Sequence, residues 1–273
     1  MKNLKFCKAE KQHIAQLKEL WALCFDEKQS ALNLFFERNF DNMSAYVVFD
    51  NNKAVSALYL IDCTLNGQKS HYLCGASTSP EYRGLGIMGQ LIEYALCDAK
   101  KHGDVYSLLL PATDSLYSFY KKFGYTENCS ANVQKLTRSQ LEQIEKTDIE
   151  NISSKNIIEL QTTSMKNNFV LWSENFINFA TEYYKIYGAK AVCQKQSFAI
   201  FDENDNVADV FYSVTNCKQE LFALLLKNTN ADYFKFISKA DKTAENKVKF
   251  GMIKTLDNNC EVPKDVFIGI TLS

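Results

Sequence analysis

The sequence lacks the long apolar runs that signal peptides and membrane spans require. Charged residues interrupt its first 20 positions, MKNLKFCKAEKQHIAQLKEL, and no stretch approaches the roughly 20 apolar residues of a transmembrane helix. It also lacks an excess of charge, since 31 basic and 32 acidic residues leave a net charge of −1. We therefore expect a cytoplasmic protein with no membrane and no nucleic-acid partner, because nucleic-acid binding requires a basic face.

Metal-ligand and disulfide patterns are missing as well. The nine cysteines are scattered and odd in number, with no C-x-x-C pair and no cysteine–histidine spacing typical of zinc. We predict reduced thiols and no metal. The sequence does have 46% hydrophobic and 23% charged residues over 273 positions, which is enough for a packed core in one large domain or two small ones.

Hydrophobic periodicity predicts mixed α/β structure. Helical spacing over residues 12–25 and 30–40 precedes the strand-like AYVVFD, AVSALYLIDCTL and HYLCGAST, with tight turns at DNNK and NG. A helix with an apolar stripe ends near Gly103, and the strand DVYSLLLPA and the helix DSLYSFYKKF follow. Residues 137–163 are polar and weakly periodic, which indicates a linker with room for a helix.

An internal repeat indicates two related domains. VFDNNKAVSALYL (48–60) aligns without a gap on IFDENDNVADVFY (200–212). Two shorter matches, DVYSLLL with DYFKFIS and KFGY with KFGM, follow in the same order. Only the first half has a glycine-rich segment between its hairpins and its helix. We predict domains at residues 1–136 and 164–273, of which only the first can bind a cofactor through that segment.

The glycine-rich segment SPEYRGLGIMGQLIEYA (79–95) contains G-x-G-x-x-G, a pattern also found in dinucleotide-binding proteins. Asp104 lies about 20 residues after Gly84, where that pattern expects an acid. However, a dinucleotide site needs its glycines directly after a parallel strand and its acid at the end of the next strand. Here SPEYR separates the strand from the first glycine, and Asp104 lies at the start of its strand. The preceding strands are also predicted to form an antiparallel meander. We therefore favour another phosphate cradle, because glycines allow close backbone approach and free amides at a helix start bind anions.

The same segment resembles motif A of the GNAT (Gcn5-related) N-acetyltransferases, Arg/Gln-x-x-Gly-x-Gly/Ala after a strand and a proline. Arg83 and Gly86 match, and Met88 replaces the last small residue. LYSFYKKFGY resembles the family's motif B, in which a tyrosine, here Tyr120, stands four residues before a Gly-aromatic pair. The resemblance covers residues 1 to about 136. The chain is also similar to bacterial members with a second, degenerate GNAT-like domain.

This resemblance implies tandem acyl-CoA N-acyltransferase domains, each a largely antiparallel mixed α/β sheet flanked by helices. Acetyl-CoA would bind where two strands splay apart, and its acetyl group would pass to a primary amine of a small molecule or peptide. Tyr120 would protonate the leaving thiolate, and the second domain would shape the substrate cleft. The cofactor-binding residues implied are Ala76, Ser77, Thr78, Arg83, Gly84, Leu85, Gly86, Ile87, Met88, Gly89, Ser115 and Leu116.

Other roles stay open at this stage. Candidates for the general base are a water chain and four groups of the chain: His71, Asp62, Asp114 and the carboxylate of Ser273. Asp26 and Glu27 could attract a cationic amine, and Cys74 is better explained as a small buried thiol than as a nucleophile. The alternatives to acetyl transfer are a non-catalytic acyl-CoA-binding or regulatory module and an NAD-dependent enzyme.

Overall fold

The structure is a computed structural model that describes residues 3–145, 157–165, 167–240 and 244–272. Within these ranges no helix is long and apolar enough to span a bilayer. The helices are α1 (Ile14–Cys24), α2 (Gln29–Asn39), α3 (Ile87–Lys101), α4 (Asp114–Lys121), α5 (Arg138–Glu145), α6 (Ile157–Ser164), α7 (Glu174–Ile186) and α8 (Lys218–Asn228). The strands are β1 (Leu4–Lys8), β2 (Met43–Asp50), β3 (Lys53–Leu65), β4 (Gln68–Thr78), β5 (Tyr106–Leu109), β6 (Ser130–Thr137), β7 (Val170–Leu171), β8 (Lys190–Gln194), β9 (Ser197–Asn204), β10 (Val207–Thr215), β11 (Tyr233–Lys239), β12 (Lys247–Lys249) and β13 (Met252–Thr255).

The chain forms two compact units, neither of which is one continuous segment. The first comprises Met1–Glu127, Gly251–Val262 and Leu272–Ser273, and the second comprises Asn128–Phe250 and Pro263–Thr271. The boundary lies at residue 127 rather than 136 because β6 pairs within the sheet of the second unit. Residues 137–163, predicted to be a linker with room for a helix, contain α5 and most of α6, and residues 146–156 of this range lie outside the described residues. The division into a catalytic and a degenerate domain stays a prediction.

The first unit is built on a sheet with the strand order β1-β2-β3-β4-β5-β13. Along this order of described strands, β4 and β5 are the parallel pair, and α3 is the crossover between them. The remaining neighbours are antiparallel, as the predicted meander requires. In this strand order, the edge strand β1 and the late strand β13 were not predicted from sequence. The mixed, mostly antiparallel fold class is confirmed.

Three two-residue turns fix the hairpins. They lie at Asn51–Asn52, Asn66–Gly67 and Asp205–Asn206, and every residue in them has a positive φ, between 46° and 76°. Such turns match the twist of the flanking strands, and they favour asparagine, aspartate and glycine, which tolerate this backbone region. The hairpins predicted at DNNK and NG are confirmed.

Opposite faces of the first sheet carry different helices. One face packs against the apolar stripe of α3, whose buried members are Ile87, Leu91, Ile92, Ala95, Leu96 and Ala99, and against the buried face of α4. Against the other face, α1 contacts β3 and β4 and buries Leu17, Leu20 and Trp21. Burial of an apolar side chain contributes about 1.5–3 kcal/mol, so these stripes account for the positions of the helices.

The second unit, like the first, contains a pair of parallel strands joined by a crossover helix. Its strand order is β8-β9-β10-β11-β6-β12, and β10 and β11 are parallel neighbours joined by α8. Hairpin β9–β10 therefore takes the place of β3–β4, although the sequence repeat aligned it with β2–β3. The matched segments DVYSLLL and DYFKFIS contain β5 and β11, and each of these strands is the parallel partner of the strand that precedes the crossover helix. This match therefore agrees with the topology. The match of KFGY with KFGM does not, since the first follows α4 and the second lies between β12 and β13.

Candidate active site

Strand β4 continues beyond its parallel partner. The pairing of β4 with β5 runs from Ser70↔Tyr106 to Tyr72↔Leu108, whereas β4 extends to Thr78 and β5 ends at Leu109. The last six residues of β4 therefore have backbone groups on this edge that β5 does not pair. Such groups can bond an extended ligand in the way a strand would.

A bulge at Gly75 lies in this unpaired part of β4. Cys74 pairs with Tyr59 and Ser77 with Ala57, so two residues of β4 oppose one residue of β3. Gly75 has a φ of 58°, and a Cβ there would lie 2.4 Å from a ring carbon of Trp21 and 2.7 Å from one of Tyr59. Glycine is therefore required both by the backbone and by the close approach of these rings.

The three strand residues expected to bind cofactor follow the bulge. Ser77 is buried, while Ala76 and Thr78 are half-buried. The Ser56 hydroxyl donates to the Ser77 carbonyl at 3.0 Å, and Nε of Arg83 donates to the Thr78 carbonyl at 3.0 Å. Arg83 thus fixes the end of β4 to the segment that follows it, and its positive charge lies beside the glycines.

The glycine arm, residues 79–89, leaves β4 through a short 3-10 turn and enters α3. Gly84 and Gly86 have φ values of 76° and 73°, and a Cβ added to either would meet no atom within 4 Å. Glycine is therefore needed at these two positions because the backbone is left-handed there, and not because a side chain would clash. The space beside each glycine is open. The Tyr82 hydroxyl anchors the arm by donating to Asp50 at 2.9 Å.

The start of α3 has the features of an anion site. Gly86 is its N-cap and provides no side-chain cap, and the first turn contains no acidic residue. The first intrahelical bond runs from the Gln90 amide to the Gly86 carbonyl at 3.2 Å, which leaves earlier amides without a partner inside the helix. These amides and the helix dipole favour a phosphate.

The remaining arm residues divide between surface and core. Leu85 is exposed, Ile87 is buried, and Met88 packs against the α3 core. Gly89 has an ordinary helical backbone, but a Cβ there would lie 2.9 Å from the ring of Phe123. Gly89 therefore permits close packing of the start of α3 against the end of α4, unlike the two glycines before it.

Helix α4 presents Tyr120 to the same core. The Tyr120 side chain is buried, and burial raises its pKa to about 12, with a smaller contribution from Cys74. Its ring packs edge-on against Phe119 and Tyr125, with centroids 5.2 Å and 5.8 Å away. Among the described residues, its hydroxyl has no hydrogen-bond partner. The phenol therefore stays protonated at neutral pH, as a general acid requires.

Residues at the start of α4 lie apart from this buried ring. Ser115 is exposed, with its hydroxyl 3.0 Å from that of Thr113, the helix N-cap. Leu116 is half-buried against the α3 core. Both lie one turn or more before Tyr120 on the same helix, and their contact with CoA stays a prediction.

The candidate bases occupy contrasting environments. His71 is fully buried between Asp104 and Ser107, so it cannot contact an acceptor directly in this structure. Asp62 and Asp114 are exposed, Asp26 lies in the exposed loop between α1 and α2, and Ser273 lies outside the described residues. Cys74 is buried, and burial raises the pKa of its thiol, which disfavours a thiolate nucleophile.

Asp104, the acid that a dinucleotide site would need, lies at the far end of the sheet from the glycine arm. It precedes β5 beside the start of β4, and its carboxylate contacts Lys69 at 2.8 Å and His71 at 2.6 Å. The glycine arm begins after Thr78, at the other end of β4. This arrangement disfavours a dinucleotide site.

The second unit has the parallel strands without the anion site. Helix α8 begins directly after β10 with Cys217 as its N-cap, and its first turn contains the buried carboxylate of Glu220. That carboxylate accepts the Gln196 amide at 2.7 Å. A negative charge at this helix start opposes a phosphate, and no glycine precedes it. Among described residues, no group of three or more His, Cys, Asp or Glu side chains could hold a metal.

Comparisons with known proteins agree with this geometry. A sequence model of the acetyltransferase (GNAT) domain matches residues 5–127, whereas no curated protein matches the sequence. A GCN5-related N-acetyltransferase from Kribbella flavida is 17% identical, with a TM-score of 0.68 over 93% of this chain and 72% of that one. One from Anabaena variabilis is 17% identical, with a TM-score of 0.70 over 93% and 73%.

A third solved structure, a probable N-acyltransferase from Enterococcus faecalis, is 12% identical, with a TM-score of 0.73 over 94% of this chain and 73% of that chain. At these identities the likenesses concern the fold, and they extend over both units. The glycine arm and the tyrosine of α4 lie within the matched domain. Residues 5–127 of the chain are thus similar to the GNAT acetyltransferase domain.

Proposed function

We propose that the first unit transfers an acetyl group from acetyl-CoA to a primary amine of a small molecule or peptide. The observation that carries the proposal is the glycine arm: two left-handed glycines facing open space, before a helix start with free amides and no acid. The pyrophosphate of CoA would bind there, held by the amides of residues 84–89, with Arg83 adding positive charge.

The unpaired edge of β4 provides the next part of the site. Pantetheine carries amide groups, and the backbone of Ala76, Ser77 and Thr78 lies between the arm and the last β5 partner. An extended chain can pair with such an edge as an added strand would. Ser115 and Leu116, at the start of α4, would contact CoA from the other side of the gap.

In the chemical step the neutral amine attacks the thioester carbonyl. A C–N bond forms, the C–S bond breaks, the amine loses a proton to a base, and the thiolate takes one from Tyr120. The raised pKa keeps the Tyr120 proton available. A thiolate beside the buried Tyr120 side chain would also be destabilised by burial, so its basicity would rise toward that of the phenol and transfer would become feasible.

Thermal-shift titrations with acetyl-CoA, CoA and NADH test the binding step. A ligand that binds only the folded chain raises the melting temperature according to RT ln(1 + [L]/Kd). We expect a shift with both CoA species and none with NADH. A shift with NADH alone would refute the proposal.

Turnover is tested by mass spectrometry of a panel of primary amines incubated with acetyl-CoA. Tyr120→Phe should lower kcat by roughly 100-fold or more, the effect expected of a lost general acid, with little change in acetyl-CoA affinity. Tyr46→Phe is the matched control, because it removes another buried phenol of the same core, one bonded to Asp98 at 2.7 Å. Binding of acetyl-CoA without any acetylated amine would instead support a regulatory acyl-CoA-binding module.

A further inference from the structure

Four buried side chains of the first unit form a continuous hydrogen-bonded chain. Asp104 Oδ2 lies 2.6 Å from His71 Nδ1, His71 Nε2 lies 2.7 Å from Ser107 Oγ, and that oxygen lies 2.6 Å from the Tyr125 hydroxyl. His71 and Ser107 are completely buried, and Tyr125 is nearly so. None of these contacts is required by the sheet, and the proposed reaction does not use them.

The chemistry of the groups sets the direction of the chain. Burial alone would raise the pKa of Asp104, but hydrogen bonds from His71 and Lys69 outweigh it and hold the pKa below its ordinary value. Asp104 is therefore an acceptor, so His71 donates to it from Nδ1. When the imidazole is neutral, Nε2 accepts from the Ser107 hydroxyl, and the Ser107 oxygen in turn accepts the Tyr125 hydroxyl.

Sheet register brings the chain together. His71 is the parallel partner of Ser107 across β4 and β5, and it is the antiparallel partner of Asp62 across β3 and β4. The charged groups around the imidazole are thus Asp104, Asp62 and Lys69. Polar groups at such interior positions are costly unless all are satisfied, and apolar residues would fill the same space. Their presence therefore requires an explanation.

The Tyr125 end of this hydrogen-bonded chain lies next to Tyr120, the tyrosine proposed as the general acid. The Tyr125 ring meets the Tyr120 ring at an interplanar angle of 70°, and the Tyr125 amide donates to the Tyr120 carbonyl at 3.4 Å. Because the Tyr120 hydroxyl has no hydrogen-bond partner among the described residues, the packing of its ring, including its contacts with the Phe119 and Tyr125 rings, sets its direction. Tyr125 is the one of these rings whose hydroxyl is fixed by the buried chain.

We propose that Asp104, His71 and Ser107 are positioning residues that hold the Tyr125 hydroxyl and, through the Tyr125 ring, the orientation of Tyr120. This inference rests on the proposed function of Tyr120 as the general acid. Breaking the chain should leave acetyl-CoA binding intact and impair the proton transfer, since small displacements of a catalytic group can cost roughly 100-fold in rate.

The kinetic test compares Ser107→Ala with Ser70→Ala. Ser70 is also completely buried on the sheet, but its hydroxyl donates to the Gln68 carbonyl, outside the chain. We expect Ser107→Ala to lower kcat by roughly 10- to 100-fold, with the KM for acetyl-CoA within about twofold of wild type. Ser70→Ala should retain kcat. Equal kcat values in both variants, measured well below their melting temperatures, would overturn the proposal.

Tyr125→Phe provides a second variant that keeps the ring packing and so retains the fold. It should lower kcat as Ser107→Ala does, and the double variant should lose little more than either single one, because both break one chain. Ser107→Thr, which keeps the hydroxyl, should recover part of the rate. Multiplicative losses in the double variant would contradict a single chain.

Fluorine NMR of protein labelled with 3-fluorotyrosine tests positioning without turnover. The Tyr120 resonance is assigned by its loss in Tyr120→Phe. We expect that resonance to shift or broaden in Ser107→Ala and to stay unchanged in Ser70→Ala. An unchanged Tyr120 resonance in Ser107→Ala would refute the positioning role even if no acceptor amine is found. Inactive wild-type protein with a displaced Tyr120 signal would instead refute the proposed function alone.

Discussion

Replacing Gly86 by alanine separates the backbone role of the glycine arm from its ligand role. Gly86 has a φ of 73°, where a residue with a Cβ costs roughly 1–2 kcal/mol. No steric cost is added, because the new methyl group would meet no protein atom within 4 Å. Gly103, at the other end of α3, has a φ of 88° and equally open surroundings. Gly103→Ala is therefore a matched control with the same backbone strain.

Both variants should lose about 2–8 °C in melting temperature, since each kcal/mol shifts a domain of this size by roughly 2–4 °C. The stability that bound acetyl-CoA adds distinguishes the two variants. At 100 times the dissociation constant, a ligand adds about 2.7 kcal/mol of stability. If the methyl group of the Gly86 variant weakens binding at least tenfold, that gain falls to about 1.4 kcal/mol or less at the same concentration.

The assay is a thermal-shift titration of acetyl-CoA against wild type, Gly86→Ala and Gly103→Ala. We expect the full ligand-induced shift in wild type and Gly103→Ala, and half of it or less in Gly86→Ala. Isothermal titration calorimetry of the same three proteins gives the dissociation constants directly. An equal ligand-induced shift in the two variants would refute the reasoning, because the arm would then be left-handed without touching the ligand.

Three further predictions concern stability and stoichiometry. Gly75→Ala should destabilise the first unit by about 2–5 kcal/mol in urea unfolding, since it adds left-handed strain to a clash 2.4 Å from Trp21; a loss under about 1 kcal/mol would contradict the rigid bulge. The lowered pKa of Asp104 makes its carboxylate stabilising above its unfolded pKa of about 4, and this contribution disappears as the pH falls through the lower folded value. The stability difference between wild type and Asp104→Asn should therefore shrink below about pH 4, and a constant difference from pH 3 to 6 would exclude this origin. Calorimetry should find one acetyl-CoA per chain, because α8 has Glu220 in its first turn where α3 has no acid; two equivalent sites would show that this carboxylate does not exclude phosphate.

Local signals in the sequence predicted the glycine arm and the hairpins well. The asparagine-rich turns have the positive φ that such hairpins need, and Gly84 and Gly86 lie before a helix, as their spacing in the sequence indicates. These features depend on a few neighbouring residues, so short sequence patterns are enough to predict them. The isolated Gly75 within HYLCGAST was a further available signal, since a lone glycine in a strand often marks a bulge.

Contacts between residues far apart in the sequence could not be predicted from short sequence patterns. The contact of His71 with Ser107 depends on the parallel register of β4 and β5, and the contact with Asp104 depends on where α3 ends. No spacing in the sequence encodes either contact, so the sequence alone offers His71 only as a candidate base. The repeat was detected, but its alignment was displaced by one hairpin because two-residue turns of the same type resemble one another.

The return of β13 to the first sheet has a consequence for synthesis of the chain. The outer edge of β5 pairs with Met252–Thr255, which the ribosome makes more than a hundred residues after the rest of that unit. At roughly 5–20 residues per second, an open, apolar strand edge therefore persists for on the order of ten seconds in every nascent chain. Such edges recruit other strands. The demand for chaperones during translation should accordingly exceed what the stability of the finished protein would suggest.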